Sequence, residues 1–150
     1  MCLLALALGC DTSSRSSREQ LLEKKARLLD ETAKILDAID SPEQAEAAGP
    51  QLRSSWETYQ ELEAQLEALR DQPVSTEAAP PLKTLENTVK VNRKLVLARW
   101  KLVEKKQPYG AALLEPLSSF RAALKMEHGL PSDRTPVEEQ ALPADPHGEH

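Results

Sequence analysis

Apolar side chains recur along most of this chain at intervals of three and four residues, the spacing that an α-helix gathers onto one stripe. Leu21, Leu22, Leu28, Leu29, Ile35, Leu36 and Ile39 predict a first helix from about Ser16 to Asp40. The chain then meets Ser41-Pro42-Glu43-Gln44. Ser41 can cap a helix, Pro42 suits its first position because its missing N–H would be unpaired there anyway, and Gln44 can close a capping box. A second helix is therefore expected to start at once and fold back antiparallel on the first. It carries Leu52, Trp56, Tyr59, Leu62, Leu66 and Leu69 to about Asp71. A kink is expected at Gly49-Pro50, where the proline removes an internal hydrogen bond and crowds the preceding turn.

A loop rich in Pro, Ser and Thr, Gln72 to Pro80, leads to a third helix from Pro81 to about Lys106. Leu82, Leu85, Val89, Val96, Trp100 and Val103 form its main stripe, and Val91, Leu95 and Leu102 widen the apolar arc to nearly half the circumference. An arc that wide predicts two helical neighbours, making helix 3 the central partner with helices 1 and 2 against it. Trp56 and Trp100 fall at similar heights on antiparallel helices, as core-filling side chains. Beyond Gln107-Pro108-Tyr109-Gly110 a shorter helix carries Leu113, Leu114, Leu117, Phe120 and Leu124, divided by Pro116 into a turn and a main segment, with Gly129 placed to end it. The expected fold is all-α: three long antiparallel helices plus a short fourth in an up-down bundle.

Composition agrees with that reading. Charged residues make up 29% of the chain and hydrophobic ones 40%, with Leu, Ala, Glu and Lys prominent and only five aromatics. The bundle is assigned to residues 19–129. From Leu130 to His150 the chain holds Pro131, Pro136, Pro143 and Pro146 without apolar periodicity, the composition of a disordered, acidic, Pro-rich tail.

The N-terminal run Met-Cys-Leu-Leu-Ala-Leu-Ala-Leu-Gly-Cys-Asp is apolar up to Gly9-Cys10. Ala7, Leu8, Gly9 and Cys10 resemble the lipobox of bacterial lipoproteins, although Leu8 is larger than the residue usual at its place. The resemblance implies that a peptidase cuts before Cys10, that Cys10 receives a diacylglyceryl group, and that residues 1–9 are the end of an export signal. No Lys or Arg precedes Cys10, so the true start is expected further upstream. Residues 10–18 then form a lipid-anchored tether, and the protein sits in the bacterial cell envelope on the periplasmic side. Two acyl chains suffice for stable anchoring, so no spanning helix is needed.

Chemistry is sparse. His128, His147 and His150 lie at the end of helix 4 or in the tail, and the chain has no His-Glu-x-x-His, paired Cys-x-x-Cys or Gly-rich phosphate loop. Neither a catalytic set, a resident metal nor a cofactor is expected; the His147-Gly148-Glu149-His150 terminus is the one weak metal grip. The feature above this background is Lys83, Lys90, Lys94, Lys101 and Lys105, spaced by seven, four, seven and four residues on one strip of helix 3. Helix 3 holds eight basic and two acidic residues in a chain of net charge -5. Such a strip is either a solvated face, neutralised by acidic helix 2 or the tail, or a docking strip for anionic lipid or an acidic protein partner. Nucleic acid is not an expected partner, since no aromatics interleave with the lysines. These features together suggest a non-enzymatic, membrane-anchored interaction or scaffolding module. The alternatives are a cytosolic helical adaptor and a small-ligand or metal-binding bundle.

Overall fold

The computed structural model describes residues 16–73 and 79–126. Five α-helices carry these residues: α1 (Ser17–Asp37), α2 (Pro42–Ala68), α3 (Ala79–Glu104), α4 (Tyr109–Leu114) and α5 (Ser118–Met126), with a 3-10 turn, Glu115–Leu117, joining the last two. No strand occurs among the described residues. The fold is thus the all-α bundle expected, and Pro116 divides the fourth arm as its chemistry requires.

Local signals account for the helix ends. Ser16 caps α1 by accepting from the Glu19 N–H at 3.3 Å. Ser41 caps α2 by accepting from the Gln44 N–H at 3.2 Å, with Pro42 in the first turn. Gln44 returns the contact one residue earlier than a capping box would, its Oε1 accepting from the Asp40 N–H at 2.7 Å. α1 stops at Asp37, short of the expected Asp40, yet Ile39 beyond it remains buried. α2 stays helical through Gly49-Pro50. Gly49 lies under α4: a Cβ there would stand 3.5 Å from the Leu113 side chain.

Cross-links between helices set the topology. Arg18 reaches Glu86, Asn92 Nδ2 donates to the Ala26 carbonyl at 2.9 Å, and Arg99 lies 3.4 Å from Asp37. Contacts therefore climb α1 and α3 together, so these two helices run parallel, with α2 antiparallel to both. Past the α3 end the chain reverses, Arg121 of α5 pairs with Glu104, and Phe120 meets Trp100 at a centroid distance of 6.0 Å. The up-down order holds.

The arrangement around the axis differs from expectation. α1, not α3, is the helix packed along both other long helices, while α2 and α3 sit diagonally and barely touch. α4 and α5 fill the gap between α2 and α3. The reason lies in small residues. Ala26 and Ala33, seven apart on the buried stripe of α1, let the α3 backbone come close enough for the Asn92 hydrogen bond. The supposed outer part of the α3 arc faces away from the core: Val91, Leu95 and Leu102 are 64%, 37% and 48% exposed.

Trp100, Tyr59 and Phe120 are fully buried, and partly buried Trp56 stacks on Phe120 at 5.1 Å. Phe120 also meets Tyr59 at 5.4 Å, so one α5 ring joins α2 to α3. Each such ring pair contributes about 0.5–1.5 kcal/mol beyond its buried area. The two tryptophans sit at one level and serve as core.

Candidate functional site

All five lysines of the predicted strip are exposed, Lys83, Lys90, Lys94 and Lys101 along α3 and Lys105 just past its end. At about 100° per residue they span a narrow band. None forms an ion pair with a described residue. Neutralisation of the strip by α2 is not seen: Glu63 pairs with Lys25 of α1, Glu67 pairs with Arg70 just past the end of α2, and α2 lies diagonal to α3. The other basic residues of the region are engaged elsewhere. Arg99 goes to Asp37, and Lys106 donates to the Ile39 carbonyl and Asp40, tying the ends of α3 and α1 together.

Beside the lysine band, at the next helical angle, lie Val91, Ala98, Leu95 and Leu102, all exposed. The outer face of α3 is therefore itself amphipathic, cationic along one edge and apolar along the other. Chemically, such a face attracts anions and also holds apolar surface that water does not favour.

A second cluster of charge was missed in the sequence. α5 runs parallel to α2 and ends at Met126, where Ala123 shares a surface hollow with Tyr59, Gln60 and Glu63. Above that level, among the described residues, no fourth helix stands between α2 and α3. An open cleft of about 310 Å³ lies between α1, α2 and α3. Lys25 and Arg93, 5% and 4% exposed, belong to its wall. Lys25 pairs with Glu63, and its ammonium stands 5.0 Å from the centre of the Tyr59 ring. The available sequence signal was position: Lys25 interrupts the stripe between Leu22 and Leu29, and Arg93 the stripe between Val89 and Val96.

On the opposite side of α1, Asp30 hydrogen-bonds Lys34 at 2.6 Å and raises its pKa above the ordinary 10.5, chiefly through that bond and secondarily through charge. This surface pair touches neither the strip nor the cleft.

Ala7, Leu8, Gly9 and Cys10, expected from the sequence to carry lipidation and signal recognition, lie outside the described residues, as do the three histidines, Gly129 and the tail from 130. Among the described residues no group of His, Cys, Asp and Glu is placed to hold a metal ion, and no helix is long and apolar enough to cross a membrane. No protein-family model matches the chain, and no curated protein or solved structure is significantly similar to it.

Proposed function

We propose that this chain is a non-enzymatic interaction module of the bacterial envelope, anchored by a diacylglyceryl group on Cys10 and docking through the outer face of α3 onto an anionic membrane surface. The observation that supports the reading is the pairing, on one exposed face, of five lysines outside any described ion pair with a neighbouring apolar edge of Val91, Leu95 and Leu102. An acidic protein partner would use the lysines but has less need of the apolar edge. A lipid interface uses both: each Lys near an anionic surface contributes about 1 kcal/mol within a Debye length of about 8–10 Å, and the apolar edge settles at the acyl boundary. α1 starts at Ser17, so a lipid on Cys10 would hold the bundle close to the same surface.

The anchor is tested by labelled palmitate in a bacterial host: incorporation is expected in the wild type and lost in Cys10→Ala. Absence of label in the wild type would favour the cytosolic adaptor. Docking is tested with unacylated chain and vesicles with or without anionic lipid. Co-sedimentation should require the anionic lipid and weaken with salt and with Lys94→Glu, Lys101→Glu and Lys105→Glu combined. Vesicle binding that ignores these substitutions would sink the docking reading, and salt-sensitive capture by an acidic protein alone would hand the strip to that partner.

A further inference from the structure

The open cleft between α1, α2 and α3 meets the docking edge of α3 only at Lys90, and its lining is unusual for a plain groove between helices. Its floor is Leu22, Leu66 and Val89. Its walls hold Arg18, Lys25, Arg70, Lys90 and Arg93 against only Glu63, Glu67 and Glu86. Every one of those carboxylates has a cation beside it: Glu63 has Lys25, Glu67 has Arg70 and Glu86 has Arg18. By count the lining carries five cations to three carboxylates, and α3 supplies two cations for its single carboxylate. Two of the cations, Lys25 and Arg93, are buried in the wall rather than spread on the surface.

We infer that this cleft binds a single-chain anionic amphiphile, its carboxylate or phosphate head on the cations and its hydrocarbon on the leucine and valine floor. A small hydrophilic anion would satisfy the cations but leave the floor wet. A neutral hydrocarbon would cover the floor while stripping water from charged walls without replacing its hydrogen bonds, at a cost of several kcal/mol. One molecule that carries both parts answers both demands. Arginine suits the head, because its planar fork meets two oxygens of a carboxylate or phosphate together. The volume of about 310 Å³ is at the lower end of the roughly 300–1,000 Å³ of small-molecule sites. It fits one acyl chain rather than a two-chain lipid. The inference does not rest on the membrane-docking reading of α3, with which its lining shares Lys90 alone.

The test is titration calorimetry of the unacylated full chain with dodecanoate and dodecyl phosphate below micelle formation, beside dodecanol and acetate as tail-only and head-only controls. Saturable binding of at least one of the two anionic amphiphiles is expected, with dodecanol and acetate at least about tenfold weaker. Lys90→Glu with Arg70→Glu should weaken it about tenfold or more. Both residues are exposed at the rim, so helix content by circular dichroism should not change. Lys94→Glu with Lys101→Glu and Lys105→Glu, which reverses three of the five strip lysines and none in the cleft, should leave amphiphile binding as it was. Binding of neither amphiphile, equal binding of dodecanol, or indifference to the rim pair would overturn the inference. So would binding that emerges only when residues 127–150 are deleted, which would give the cleft to the chain's own acidic end.

Discussion

Among the described residues, the two ends of this bundle are built from the same kinds of helix and differ in whether α4 and α5 lie between α2 and α3. Where α4 and α5 lie between α2 and α3, the core is closed: Trp100, Tyr59 and Phe120 are buried together, and Lys106 ties the ends of α1 and α3. Beyond Met126 among the described residues, the same three long helices leave a cleft with buried cations at its edge. The contrast shows how a helical bundle acquires a site without any special motif. Where three helices face a groove, core positions become its walls, and charged residues become tolerable there because water reaches one side of them.

If the closed end carries the stability, its removal should be felt most. Phe120→Ala deletes the ring that joins Trp56, Tyr59 and Trp100, and should cost about 3–5 kcal/mol in urea unfolding. That is a large part of the roughly 5–15 kcal/mol typical of a domain. A loss near 1 kcal/mol would show that α5 is an accessory and that both ends are alike. Gly110→Ala comes next. A Cβ at that position would stand 1.9 Å from the Val103 carbonyl oxygen, backbone that cannot step aside. α4 would have to lift from the end of α3, a cost of about 1–3 kcal/mol readable as a lower Tm. Because that lift loosens the fourth arm, Trp fluorescence should report it as well.

How much of this was legible in the sequence follows from which interactions are local. Helix boundaries near Ser16, Ser41 and Pro116, and the shared level of Trp56 and Trp100, rest on spacing and capping within a few turns, and these were readable. The lysine strip was readable for the same reason, as a repeat along one helix. The order of helices around the axis was not. It depends on Ala26 and Ala33 letting α3 approach α1, and small side chains weigh little in a count of large apolar ones. Val91, Leu95 and Leu102 weighed heavily in that count and proved to be surface. The cleft was invisible because it depends on how α1, α2 and α5 meet in space, a relation between residues some sixty positions apart, such as Glu63 and Ala123. Lys25 and Arg93, placed inside apolar stripes, were its one trace.

The smallest expected effect is also the sharpest test of the contrast. Lys25→Met removes a buried ammonium from its ion pair with Glu63 and from the Tyr59 ring, while a chain of similar length still covers the apolar wall. In a closed core, deleting one partner strands the other charge and costs about 3–5 kcal/mol. Here the Glu63 side chain is 39% exposed on the cleft side, so it can recover water once the ammonium is gone. The expected loss in urea unfolding is therefore under about 1 kcal/mol, as for a surface pair. A double-mutant cycle with Glu63→Gln should give a coupling equally small. A loss of about 3 kcal/mol or more would mean that Glu63 is as dry as the aromatic cluster, that water does not enter between α2 and α3, and that the two ends of the bundle are closed alike.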